Sequence, residues 1–258
     1  MNRPSHLPEG VGSPSLRFVY RSASATHRGH VRSHNEDAFL LRPDLGVWAV
    51  ADGMGGHERG DYASRQVAAS LETMGSEGSL AALVEAAEDA ILSVHQHLRE
   101  RGLAVGSVIG STVVALLLRE GHAVVLWAGD SRAYRLRNGL MYRLSHDHSV
   151  VQSLIDQGLL EATAAADHPL ANRITRAVGA GDTLHLEMEL LPICAGDRFL
   201  LCSDGLDRHV ADEEIASLLA ANHDPEACAK ALLDKSLALG GSDNITCLVV
   251  DITTASVV

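Results

Sequence analysis

The chain has 258 residues and a formal net charge of −12, from 33 acidic against 21 Lys and Arg residues, with hydrophobic residues making up 46%. That length suits one large domain with a sizeable core, and the acidic balance argues against nucleic-acid binding, which is built from clustered Lys and Arg. No apolar run approaches the roughly eighteen residues of a membrane span, and the first residues lack the apolar centre of a signal peptide, so no membrane association is expected and the predicted location is the cytoplasm.

Residues 1–15 contain Pro4, Pro8 and Pro14 and no apolar period, and are predicted to be a frayed tail before a single domain over 16–258. Strands are predicted at 39–41 and 47–51, followed by a weak helix at 63–74. Residues 79–101 place Leu80, Leu83, Val84, Ala87, Ile91, Val94 and Leu98 at the three-four spacing of a helix with one buried face. Strand-like runs follow at 111–118, 123–128 and 133–137. Residues 147–179 read as short helices and loop. Further strands are predicted at 185–190, 198–202 and 245–251, and helices at 212–221 and 225–239. Many strands flanked by helix pairs imply an α+β fold, with antiparallel sheets packed face to face and helices outside.

Cys194, Cys202, Cys228 and Cys247 show no CxxC spacing and read as buried free thiols in a reducing compartment. His95 and His97 lie two apart on the long predicted helix, hence on different faces, a poor geometry for chelation. His146 and His148 flank Asp147 and are read as shaping that loop.

Five aspartates stand in short segments that carry Gly, Ser or Asn, most of them at the end of an apolar run: Asp37, Asp52, Asp130, Asp204 and Asp243. Strands would deliver these carboxylates to one rim, where unpaired acids cost free energy unless a cation satisfies them. Each alone also reads as ordinary turn chemistry, since Asp bonds its own backbone and Gly supplies positive φ. Oxygen ligands without a His or Cys cluster suit Mg²⁺ or Mn²⁺.

The surrounding motifs, in order, are RSHNEDAF at 32–39, VADGMGGH at 50–57, GSTVVALLL at 110–118, WAGDSRAYRLRNG at 127–139, LSHDHSVV at 144–151, ITRAVGAGD at 174–182, CSDGL at 202–206 and GGSDNITCLVV at 240–250. Together they resemble the bacterial branch of the PP2C-type, metal-dependent serine/threonine phosphatases, over roughly residues 20–252. The resemblance implies a central β-sandwich flanked by helix pairs in four layers (α/β/β/α), with metals at one end and a flap at about 147–179. It implies that Asp52 bridges two ions, with Glu36 and the Gly53 carbonyl completing one site and Asp204 and Asp243 the other. Asp130 matches the position of a third, weaker metal, or is a turn residue. Arg32 matches the arginine that grips the substrate phosphate; in isolation it reads as a surface residue. Asp37 is expected behind the ligands, orienting waters or Arg32, and Asn244 is expected to fix the Asp243 loop. Eukaryotic relatives place a histidine directly after the Asp-Gly pair as general acid. Here Met54 takes that place, and His57 stands three residues on. His57 is therefore not expected to be the acid, a role that falls to a metal-bound water.

The resemblance thus implies hydrolysis of phosphoserine and phosphothreonine by direct attack of a metal-bridging water. The implied partners are phosphorylated proteins and a cognate serine/threonine kinase, and a monomer is expected. A pseudophosphatase that binds phosphoproteins without turnover is the alternative. The presence of Glu36, Asp52, Asp204 and Asp243 weighs against it. A two-metal nuclease would want a basic groove, which the net charge disfavours.

Overall fold

Apolar runs that alternate between two faces build the layers of this molecule. The computed structural model describes residues 18–55, 58–75, 78–165 and 168–255; the predicted tail and His57 lie outside them. The chain runs β1 (Phe18–His27), β2 (Asp37–Arg42), β3 (Val47–Met54), α1 (Glu58–Glu72), α2 (Leu80–Val105), β4 (Gly110–Ser111), β5 (Val113–Arg119), β6 (His122–Ala128), β7 (Arg132–Arg137) and β8 (Leu140–Arg143). It continues through α3 (Val150–Asp156), β9 (Glu187–Pro192), β10 (Arg198–Cys202), α4 (Asp204–Asp207), α5 (Asp212–Ala221), α6 (Pro225–Ala238) and β11 (Ile245–Thr254). One sheet has the order β1-β11-β10-β7-β8. The other has the order β2-β3-β5-β6-β9, with β4 paired to the end of β3. The strand pairings are antiparallel.

On β3, Val47, Ala49 and Ala51 join Val67 and Leu71 of α1 and Leu83 and Ile91 of α2 in one buried cluster. Trp48 and Val50 take the opposite face and meet Phe199, Leu201, Leu248 and Val250 of the other sheet. The intervening residues of β10 and β11, Leu200, Cys202, Cys247 and Val249, pack on Ile215, Leu219 and Leu232 of α5 and α6. The period of two along each strand therefore feeds two apolar layers at once. The result is the expected α+β arrangement of helices, sheet, sheet and helices.

Several boundaries differ from the sequence reading. Helix α1 begins at Glu58 rather than 63, and β9 runs over Glu187–Pro192 rather than 185–190. Helix α2 extends to Val105, where Gly106 at φ 64° ends it; Ser79 caps its start by accepting from the Ala82 amide. Strands β1 and β8 were not anticipated. β1 mixes Arg21, Ser22 and Ser24 among its apolar residues and takes its register from β11, along ten residue pairs from Phe18↔Thr254 to His27↔Ile245. Cys202, Cys228 and Cys247 are buried thiols, but Cys194 is exposed on the turn after β9. Among the described residues no helix is long and apolar enough to cross a membrane.

Candidate active site

The carboxylates gather because strand ends from both sheets open at one rim. Asp52 lies near the end of β3, paired with Asp37 of β2. Its backbone is fully engaged: its amide donates to Thr112 Oγ1 at 2.9 Å, and its carbonyl accepts from the Thr112 amide at 2.8 Å and from Ser111 Oγ at 3.0 Å. The next residue, Gly53, donates to the Glu36 carbonyl at 3.1 Å, which also accepts from Ser64 Oγ of α1. A Cβ on Gly53 would lie 2.1 Å from the Gly60 carbonyl oxygen, and one on Gly60 would lie 2.5 Å from Glu36 Oε2. Both positions therefore need glycine for the close approach of β3, α1 and the Glu36 carboxylate.

The second group hangs on Asn244. Its Oδ1 accepts from the Glu36 amide at 2.7 Å, and its Nδ2 donates to the carbonyls of Arg28 and His34 at 3.0 and 2.9 Å. Its own amide donates to Asp243 Oδ1 at 2.9 Å. One side chain thus ties the 28–36 loop to the Asp243 turn, a wider task than fixing that turn alone. Asp204 starts α4, and Gly205 beside it is pressed against the Asn244 carbonyl, which would lie 1.9 Å from a Cβ. Arg32 Nη2 donates to Asp243 Oδ2 at 2.8 Å. Arg208 bonds Asp204 Oδ2 and also donates to Asp243 Oδ2 at 3.2 Å.

Asp130 follows β6 on the turn begun by Gly129 (φ 120°), which His148 holds from both sides: the Gly129 amide donates to His148 Nδ1 and the His148 amide donates to the Gly129 carbonyl. The next residue, Ser131, shares a 2.7 Å hydrogen bond with Thr112 Oγ1. Asp37 lies behind Asp52 and does not engage Arg32; its Oδ2 accepts from Ser203 Oγ and Thr246 Oγ1, each at 2.7 Å. In the 147–179 segment, Asp147 receives Arg132 at 2.6 Å, and Arg132 also reaches Asp207 at 2.8 Å. A bridge between Ser149 and Ile174 joins the two ends of the segment, and one between Ser111 and Val178 ties it to the end of β4.

Glu36, Asp52, Asp130, Asp204 and Asp243 line one cleft of about 370 Å³ with Arg32, Met54, Asn172 and Arg208. Burial, then the charges of Asp37, Asp204, Asp130 and Asp243, push the Asp52 carboxyl well above the usual range. Burial, then Asp204, Asp147 and Asp207, does the same to Asp130. Burial holds Asp204 up against the pull of Arg208, and raises Asp37 to about 7 despite its two hydroxyl donors. Acids so crowded call for a counter-cation. As the side chains stand, no three described His, Cys, Asp or Glu residues close around a single point, and the guanidiniums of Arg32 and Arg208 lie among the carboxylates. The all-oxygen donor set and its mutual repulsion fit hard divalent ions.

Sequence reasoning missed Thr112, Asn172 and Arg208 as cleft residues, and Gly60 as the residue packed against Glu36. Arg208 had one available signal: at the C-terminal end of α4 it falls four residues after Asp204, one helical turn away.

Residues 25–238 match the family model for protein phosphatase 2C. The serine/threonine phosphatase stp of Listeria innocua is 32% identical over 235 residues, covering 88% of this chain and 93% of its own. PppA, a key regulatory component of T6SS in Pseudomonas aeruginosa, has a solved structure that superposes with a TM-score of 0.86 at 44% identity, over 92% of this chain and 100% of its own. The catalytic domain of the serine/threonine phosphatase PstP in complex with 2 manganese ions superposes with a TM-score of 0.79 at 32% identity, over 92% of this chain and 100% of its own.

Proposed function

The chain belongs to the protein phosphatase 2C family, and on that footing we propose how its residues divide the work of a metal-dependent protein serine/threonine phosphatase. The observation that carries the assignment is the convergence of Glu36, Asp52, Asp204 and Asp243, from separate stretches of chain, on one cleft with Arg32 beside them. Asp52 would serve both of two divalent ions, Mn²⁺ or Mg²⁺; Glu36 and the Gly53 carbonyl would hold one, and Asp204 and Asp243 the other. When bound, such a pair activates water and neutralises the phosphoryl oxygens.

The protein's own groups do the rest. Arg32 offers a planar fork that holds two phosphate oxygens at once. Asn244 keeps Glu36 and Asp243 at a fixed separation through its bonds to both sides. Asp37 braces the floor from behind through Ser203 and Thr246 rather than touching substrate. Met54 has no proton to give, and His57 is not the donor either, so the leaving oxygen takes its proton from water in the cleft. The substrates are phosphoserine and phosphothreonine proteins in the cytoplasm, and the signalling counterpart is a serine/threonine kinase whose output is reversed here. The likeness to PppA supports a regulatory role.

The test is hydrolysis of a phosphothreonine peptide by purified protein, stripped by chelator and then supplied with Mn²⁺. Turnover that vanishes on chelation and returns with Mn²⁺ is expected. Binding of the peptide without release of phosphate under either condition would make the protein a phosphoprotein-binding module instead.

A further inference from the structure

The buried stripe of α2 runs through Leu83, Ala87, Ile91 and Leu98, and His95 interrupts it with a polar ring. His95 is 3% exposed. A buried imidazole has given up its hydration and needs a bond in return. That bond goes to the 147–179 segment: Nδ1 accepts from the buried Gly179 amide at 3.0 Å. The acceptor role fixes the tautomer, with the proton on Nε2, and Nε2 has no hydrogen-bond partner of good geometry among the described residues. An apolar residue would fill the same space without a donor left unanswered, so an acceptor for Gly179 is what histidine adds here.

Gly179 is held close on every side. It takes φ 85°, and a Cβ there would lie 2.3 Å from the Ile109 carbonyl oxygen and 2.8 Å from Leu98 Cβ, so its backbone rests directly against α2 and the approach to β4. Beside it, Val178 exchanges backbone hydrogen bonds of 2.8 and 3.0 Å with Ser111. Arg99, one helical turn after His95, adds an exposed strap to Asp182 at 2.5 Å. Earlier in the same segment, Asn172 and Ile174 line the catalytic cleft. A stretch of chain that walls the cleft is therefore moored to α2 through one buried ring.

We propose that His95 is a positioning residue for peptide substrates: as a neutral acceptor it moors the Gly179 end of the segment, and so sets where Asn172 and Ile174 stand beside a bound phosphopeptide. The proposal rests on the phosphatase reading above. A protonated imidazole donates from both nitrogens and would set N–H against the Gly179 N–H. Burial holds this group below the ordinary histidine value, the Asp182 backbone offsets part of that, and Arg99 adds to it. The mooring thus holds at neutral pH and is lost as pH falls below the usual histidine range. Other neighbouring groups are engaged elsewhere. β4 carries no titratable side chain, Tyr62 of α1 bonds His97, and Arg119 of β5 reaches the Gly78 carbonyl before the start of α2.

The test compares KM for a phosphothreonine peptide with KM for a small aryl phosphate, in saturating Mn²⁺, from about pH 8 to about pH 5.5, which spans the histidine range. The ratio of the two cancels titration of the metal ligands, which both substrates share. His95→Leu should raise that ratio about fivefold, the scale of one neutral hydrogen bond, with kcat on the aryl ester unchanged. His95→Asn, whose Oδ1 takes the place of Nδ1 and does not titrate, should keep the wild-type ratio at neutral pH. As pH falls, the wild-type ratio should climb toward that of His95→Leu while that of His95→Asn stays flat. A His95→Leu ratio within about twofold of wild type at neutral pH, a His95→Asn ratio as high as that of His95→Leu, or coincident wild-type and His95→Asn profiles would each overturn the proposal and leave the phosphatase reading standing. Should His95→Leu fail to fold, the wild-type and His95→Asn profiles decide alone. No turnover of either substrate by wild type would remove the reading and the proposal together.

Discussion

At Gly53 the end of β3 meets the start of α1 with no space between their backbones, and Gly53→Ala shows what that contact is worth. The added Cβ would lie 2.1 Å from the Gly60 carbonyl oxygen and 2.7 Å from that of Glu36. Neither is the end of a side chain that can swing aside, so restoring an ordinary contact moves one backbone by roughly 1 Å. A shift of β3 carries Asp52 and the Gly53 carbonyl, and a shift of the facing segments carries Glu36. Displacement of about 1 Å in a catalytic constellation costs on the order of 10²-fold in rate. Overpacking of this kind costs about 1–3 kcal/mol, enough to lower Tm by several degrees. Phosphothreonine-peptide hydrolysis in saturating Mn²⁺, with thermal melts by circular dichroism, reads both effects. Gly75→Ala, where a Cβ meets nothing within 4 Å, should leave both unchanged. Turnover of Gly53→Ala within about twofold of wild type would refute the claim that this backbone contact sets the ligand positions.

Asp52→Asn should lower kcat by about 10³-fold or more, because one carboxylate serves both ions. The metal-free variant should melt no lower than wild type, since the substitution also removes a repelled charge; calorimetry checks this. Arg32→Ala should raise KM for phosphopeptide more than it lowers kcat, if ground state and transition state are held alike, and a pure kcat defect in steady-state kinetics would contradict that reading. Arg32→Lys should recover little, since an ammonium lacks the planar fork. His57→Ala should cost less than about tenfold, below the range of a general acid, and no more on an alkyl than on an aryl phosphate. A large loss confined to the alkyl ester would restore histidine as the proton donor.

Much of this site could be read from the sequence because its residues follow apolar runs. Val47 to Ala51 is buried throughout and ends in Asp52, and Phe199 to Cys202 leads into Asp204 in the same way. A strand buried on both faces cannot hide such a pattern, so the cleft acids announced themselves. β1 escaped notice because it is a half-buried edge strand whose place is decided by β11 and not by its own hydrophobicity. The partners of Asp37, Ser203 and Thr246, are 166 and 209 residues away in the chain, so only the fold names them. Gly60 carries no local signal of function, and Arg208 only its place four residues after Asp204. One matters for the room it leaves beside Glu36, the other for two carboxylates it reaches from an otherwise ordinary helix position.

The central claim is a place as much as an activity: two ions held around Asp52. An anomalous difference map from crystals soaked in Mn²⁺ tests it most directly. Two peaks about 3.5–4 Å apart are expected, with the Asp52 carboxylate between them, Glu36 and the Gly53 carbonyl on one and Asp204 and Asp243 on the other. A cleft without manganese density, or peaks that leave Asp52 uncoordinated, would contradict the account.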